Sequence, residues 1–96
     1  METIYLPEVR CKVSDGFTDR DITVSVTDER GREQFIHVLK SMVNKVSESF
    51  FLPVGVVNVD HRGGRVLIEL PIEADSGANR MWIPFHSFRV ESGVHA

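Results

Sequence analysis

The chain has 96 residues, of which 42% are hydrophobic and 26% are charged, values typical of one globular domain. Its single cysteine, Cys11, excludes a disulfide-stapled scaffold, and no apolar run approaches the roughly 20 residues of a membrane helix. The formal net charge of −3 argues against a protein that binds nucleic acid through bulk charge. The N-terminal METIYLPEVR lacks the pattern of a secretory signal, so we expect a cytoplasmic protein without a membrane partner.

Two strands are predicted before residue 28. In VRCKV (9–13) the apolar residues alternate with two basic ones, which is the period of a half-buried strand. The turn cluster SDGFTDR follows. DITVSVT (21–27) then alternates just as clearly, which predicts a second strand with one buried face.

The next segment, REQFIHVLKSMVNKV (32–46), allows two interpretations. Its apolar residues fall on one helical stripe, which predicts a helix at 32–47 packed on the sheet. The preceding DERGR is typical of a hairpin turn, which predicts a strand paired with DITVSVT and only a short helical turn near 40–46. We favour the strand, in a register that sets Val24 opposite His37 and Val26 opposite Phe35, so that His37 is largely buried.

Three further strands are predicted at 54–60, 65–70 and 80–85, each bounded by turn residues. A two-residue loop at Gly63 and Gly64 joins the first two of them, because glycine adopts positive φ readily.

This loop position fixes the register of the hairpin. It sets Val59 opposite Ile68 and Arg62 opposite Arg65. The preceding valines then fall out of phase, which predicts a bulge at Gly55.

The last predicted strand carries the only tryptophan, Trp82. Alternation turns its apolar residues towards the core and places Arg80, Trp82 and His86 on the opposite face. Pro84 has no N–H to donate, so this strand is expected to be an edge strand or to end there. The residues predicted to form the core are Ile22, Val24, Val26, Val57, Val59, Val66, Ile68, Leu70, Ile83 and Phe85.

Together these elements predict a mainly β fold, either a small antiparallel barrel or a strongly bent sheet. The whole chain, 1–96, forms one domain in this interpretation, with a flexible tail at 90–96. The hairpin GVVNVDHRGGRVLIEL resembles a hairpin of SH3-like barrels, including KOW-type modules, and WIPFHSF is similar to their last strand and short turn. The resemblance covers roughly the second half of the chain and implies an SH3-like fold, but a shared fold assigns no functional residue.

Residues suited to catalysis or metal binding do not form a recognisable motif. No HxxxH, CxxC or HxH spacing is present, so we expect neither a metal site nor a cofactor. The alternative is a small hydrolase-like or metal-dependent enzyme that uses His86 or His61 with Ser76 and a carboxylate. Ser76 lies in DSG, which lacks the GxSxG elbow and is typical of a surface loop. We therefore expect a protein that is not an enzyme.

Binding is the preferred function. A Trp82 flanked by Arg80 and His86 is typical of a contact patch, which Arg62 and Arg65 join if the fold brings them close. In the alternative, Trp82 covers a second small core or the mouth of the barrel, with Arg80 laid over its ring. The preferred partner is a protein segment added to an exposed strand edge. Single-stranded nucleic acid stacked on the tryptophan is the second partner class, and self-association through a strand edge is the third.

Overall fold

The computed structural model describes residues 2–95, and side chains are described for residues 6–90. The chain is mainly β, as predicted, and its only helical pieces within these residues are two 3₁₀ turns, Lys40–Met42 and Phe85–Ser87. The strands are β1 (Glu2–Asp15), β2 (Asp21–Thr27), β3 (Glu33–Leu39), β4 (Asn44–Val46), β5 (Ser49–Pro53), β6 (Gly55–Asp60), β7 (Arg65–Glu69), β8 (Arg80–Pro84) and β9 (Phe88–His95). The alternative helix at 32–47 is therefore wrong, and none of the described helical pieces is long and apolar enough to cross a membrane.

The strands form two antiparallel sheets that do not close into a barrel. The larger sheet has the order β3-β2-β1-β5-β4, with β9 also paired to β1, and the smaller has the order β6-β7-β8. The long strand β1 changes partners along its length, pairing with β9 at Glu2–Val9, with β5 at Glu8–Cys11 and with β2 at Lys12–Asp15. Residues 90–95 of the predicted flexible tail belong to β9, and Ala96 lies outside the described residues, so the flexibility of the tail stays a prediction.

The core lies between the inward faces of the two sheets. Seven of the ten predicted core residues are buried there, namely Ile22, Val24, Val26, Val66, Ile68, Leu70 and Ile83. Val57, Val59 and Phe85 are each at least 40% exposed, so their assignment to the core is wrong. The two valines lie on the edge strand β6, and Phe85 begins the 3₁₀ turn that follows Pro84, where the alternation of the strand ends.

The β2–β3 hairpin has the predicted pairing in a register shifted by one residue. Val24 lies opposite Ile36, and His37 lies opposite Thr23. The shift arises because the turn holds three residues rather than two: the Asp28 N–H donates to the Arg32 carbonyl at 2.9 Å. A positive-φ glycine at the third position is typical of such a turn, and Gly31 has φ of 81°. His37 is consequently half-buried on the outer face instead of lying in the core.

The β6–β7 hairpin also differs from the prediction. Asp60 and Arg65 close a four-residue turn, and of its two glycines only Gly64 has positive φ, 64°. The Asp60 carboxylate holds the turn by accepting hydrogen bonds from the Gly63 N–H and from Arg65 Nε, both at 2.9 Å. Arg62 and Arg65 are therefore not opposite each other.

The strand pairing beyond this turn shifts accordingly. Val59 lies opposite Val66 rather than Ile68, and the register shift falls between Val56 and Asn58 rather than at Gly55. The longer turn moves the pairing by two residues, so the bulge is needed nearer the turn.

Candidate functional site

An open cleft of about 430 Å³ lies between the β2–β3 turn and the outer face of β8. It contains Arg80 and Trp82, two of the five predicted contact residues. Its lining is formed by Asp28, Glu29, Arg30, Arg32, Gln34, Leu67, Ser76, Ala78, Arg80, Met81 and Trp82. We call this set the Trp82 cleft.

Two main-chain hydrogen bonds hold the walls of the Trp82 cleft together. The Glu29 N–H donates to the Trp82 carbonyl at 2.9 Å, and the Asp75 N–H donates to the Phe35 carbonyl at 2.9 Å. The loop that carries Asp75 is fixed further by Ser76, whose hydroxyl donates to Gln34 Oε1 at 2.6 Å. The β2–β3 hairpin and the loop before β8 therefore form a continuous wall.

The outer edge of β8 presents unpaired main-chain groups to the cleft. Hydrogen-bonded pairs alternate with non-bonded pairs in an antiparallel ladder. Leu70 donates to the Asn79 carbonyl and Phe85 donates to the Gly64 carbonyl, which fixes the alternation between β7 and β8. Arg80 and Trp82 consequently occupy non-bonded pairs, and their main-chain groups point away from β7.

Three of these groups have no hydrogen-bond partner within the described part of the chain. They are the N–H and carbonyl of Arg80 and the N–H of Trp82, since the Trp82 carbonyl already accepts from Glu29. Pro84 also points away from β7, and because proline has no N–H it leaves no unpaired donor on this edge. The prediction that β8 is an edge strand is confirmed, since β8 is the last strand of its sheet.

Trp82 is half-buried because Arg65 covers one face of its ring. The guanidinium carbon of Arg65 lies 4.1 Å from the ring centroid. Two carboxylates orient this guanidinium, Asp60 at 2.9 Å from Nε and Glu29 at 2.8 Å from Nη1. These hydrogen bonds, that to Asp60 above all, raise the pKa of Arg65. The alternative interpretation placed Arg80 over this ring, but the arginine that lies there is Arg65.

The β2–β3 turn adds two arginines, Arg30 and Arg32, that were not among the predicted contact residues. They are presented by Asp28, whose buried carboxylate accepts from both of their main-chain N–H groups and from Arg32 Nε, each at 2.9 Å. Burial alone would raise the pKa of Asp28, but these hydrogen bonds outweigh it and lower that pKa. The two arginines of DERGR were the available signal, but the sequence gave no reason to place them beside Trp82.

The other predicted contact residues lie outside the Trp82 cleft. Arg62 is exposed in the β6–β7 turn. His86 is exposed in the 3₁₀ turn after β8, where its Nδ1 lies 3.5 Å from the Ser87 hydroxyl. The chain leaves the strand after Pro84, so His86 does not share the face of Arg80 and Trp82.

The residues of the enzymatic alternative are not brought together. The Ser76 hydroxyl donates to Gln34 and accepts from the Ala78 N–H, while the His61 ring packs edge-on against Phe85 at 6.2 Å. Within the described residues, no three His, Cys, Asp or Glu side chains form a group that could hold a metal ion.

What the Trp82 cleft offers chemically is an apolar floor, guanidinium donors and an open strand edge. Among the described residues that line the cleft, no nucleophile lies beside a base. Comparison of the chain with protein-family models, with curated proteins and with solved structures finds no match.

Proposed function

We propose that this protein is a binding domain, not an enzyme, and that it captures an extended segment of a partner protein along β8 in the Trp82 cleft. The observation that carries this proposal is the set of three unpaired main-chain groups on Arg80 and Trp82. An extended peptide satisfies such groups by adding a strand, and neighbouring side chains supply the selectivity. Trp82 and Leu67 line the same cleft and offer the segment an apolar surface.

The geometry defines how the segment pairs in an antiparallel arrangement. The ligand residue opposite Arg80 accepts a hydrogen bond from the Arg80 N–H and donates its own N–H to the Arg80 carbonyl. The carbonyl of the ligand residue opposite Trp82 accepts a hydrogen bond from the Trp82 N–H. The pairing cannot extend further in either direction. The Trp82 carbonyl is occupied by Glu29, and at the other end the Ala78 carbonyl accepts from the Ala74 N–H at 2.8 Å.

The contacts of Ser76 support binding over catalysis. Its hydroxyl is held by Gln34, and no histidine side chain contacts it among the described residues. The proposal keeps the predicted cytoplasmic location.

The proposal is tested by selecting random eight-residue peptides, displayed on phage, on the immobilised protein. The selected peptides are synthesised and each main-chain nitrogen is methylated in turn. Strand addition predicts one nitrogen, the donor to the Arg80 carbonyl, whose methylation weakens binding at least about tenfold. Its two neighbours point away from β8, so their methylation serves as the matched control and should leave the affinity unchanged.

Amide chemical shifts locate the contact independently. In the labelled protein, the selected peptide should shift the N–H signals of Arg80 and Trp82 more than those of Met81 and Ile83, which face β7. Equal sensitivity to methylation at every position, or shifts centred on another strand, would contradict strand addition at β8.

A further inference from the structure

The acidic residues of the Trp82 cleft already accept hydrogen bonds from arginines of the protein. Asp28 accepts three hydrogen bonds within its own turn, and Glu29 is held by Arg65 Nη1 through both of its oxygens, at 2.8 and 3.1 Å. Neither carboxylate is therefore available to neutralise a further cation.

The three remaining arginines of the cleft retain most of their donors. A guanidinium has five N–H donors. Arg32 uses Nε alone, on Asp28, and Arg80 uses Nε alone, at 3.4 Å from Glu69. The side chain of Arg30 contacts no hydrogen-bond acceptor or carboxylate among the described residues. The Nη groups of all three are thus available to an anion, in a chain whose net charge is −3.

We propose that the segment captured in the Trp82 cleft is acidic, with a carboxylate side chain opposite Arg80 and an apolar side chain opposite Trp82. This inference rests on the proposed function, because strand addition is what sets the two ligand positions two residues apart on the same face. A second carboxylate lies against Arg30 and Arg32 at the β2–β3 turn. The planar fork of arginine matches a carboxylate with two parallel hydrogen bonds.

The choice of a peptide over single-stranded nucleic acid follows from Trp82. Arg65 covers one ring face, which removes that face as a platform for a base. Nucleic-acid binding also draws on a broad positive field, which a chain of net charge −3 does not supply.

The experiment compares peptides selected on the protein with versions in which each Glu or Asp is replaced by Gln or Asn. Binding is followed through the emission of Trp82, the only tryptophan. We expect each replacement to weaken binding about three- to tenfold, as partly exposed and bidentate pairs do. The variants Arg80→Gln and Arg30→Gln should lose the preference for the acidic peptide, whereas Arg20→Gln, which removes the same charge outside the cleft, should keep it.

The outcomes separate the two proposals. In one outcome, methylation of a single peptide nitrogen weakens binding, but replacing Glu with Gln does not. This result would overturn the proposal that the segment is acidic and would still support strand addition. Acidic peptides that bind with the Arg80 dependence but without a sensitive nitrogen would support the anion site and contradict strand addition. An eight-nucleotide oligothymidylate that binds more tightly than every peptide, and loses affinity in Arg80→Gln, would overturn the acidic peptide as the ligand.

Discussion

The guanidinium of Arg65 lies against the ring of Trp82, with its central carbon 4.1 Å from the ring centroid. The same guanidinium bonds Glu29 in the β2–β3 turn and Asp60 at the β6–β7 turn. One side chain therefore joins two turns from different sheets to the strand that forms the proposed binding edge.

Arg65→Gln should uncover the indole and loosen the β2–β3 turn. We expect the emission of Trp82 to shift to longer wavelength and its quenching by acrylamide to increase, because the shorter neutral side chain neither stacks on the ring nor holds both carboxylates. Arg62→Gln changes the same charge in the adjoining turn and should leave the spectrum unchanged. An unaltered spectrum in Arg65→Gln would show that the stack does not shield Trp82.

The sequence predicts strands well where burial dictates the alternation. Val66 and Ile68 are 2% and 0% exposed, as their spacing in RVLIEL indicated. Val57 and Val59 have equally suggestive spacing but lie on the edge strand β6, where valine reflects the preference for extended backbone rather than burial. Composition does not distinguish an edge strand from a central one.

The registers of the hairpins and the contacts between distant segments could not be predicted from local alternation. DERGR and HRGGR both signalled turns, but each turn is longer than predicted, and the register of its hairpin moved with it. Arg30 and Arg32 reach the Trp82 cleft only because the Glu29 N–H bonds the Trp82 carbonyl, a contact that no local pattern contains. The resemblance of the second half to SH3-like barrels stays a prediction.

Ile68→Ala should destabilise the fold strongly. Ile68 is fully buried on β7, and truncating such a residue costs about 2–5 kcal/mol of the free energy of unfolding. The control is Val57→Ala on the neighbouring strand, where the side chain is 41% exposed and about 1 kcal/mol or less is expected. Urea denaturation of both variants measures the difference, and equal losses would contradict the assignment of β6 as an edge strand.

Asp28 should make stability depend on pH in the acidic range. Its pKa is lowered below the ordinary value of 3.8, so its stabilisation is fully present above that value and is lost as pH falls through the folded-state pKa. Asp28→Asn should cost about 1–3 kcal/mol at neutral pH, because the amide cannot accept all three hydrogen bonds. Urea denaturation from neutral to strongly acidic pH should show the difference between wild type and variant shrinking below pH 3.8. A constant difference would mean that the Asp28 charge does not contribute.

Cys11 should be unreactive in the folded protein. Burial, with the negative charge of Glu8, raises the pKa of its thiol to about 12, whereas the thiolate is the reactive form. We expect alkylation by iodoacetamide near pH 8 to be at least about a hundredfold slower in the native protein than in concentrated guanidinium chloride. Comparable rates would indicate that the β1–β5 region opens readily and exposes the thiol.

Arg89 should be far more important to stability than Arg10, although both guanidiniums lie over the ring of Phe51. Arg89 Nε also bonds the fully buried carboxylate of Glu8 at 3.0 Å. Among the described residues, Arg89→Met leaves this buried charge with the Asn44 amide as its one hydrogen-bond donor, so we expect a loss of about 3–5 kcal/mol. Arg10→Met, the matched control, removes a ring contact but no buried partner and should cost about 1 kcal/mol or less.

The double variant Glu8→Gln/Arg89→Met separates the buried charge from the lost ring contact. Because it removes the carboxylate as well as its cation, it should be more stable than Arg89→Met alone by at least about 1 kcal/mol in urea denaturation. If Arg89→Met costs no more than Arg10→Met, or if adding Glu8→Gln lowers stability further, the Glu8 carboxylate does not depend on Arg89 for its burial.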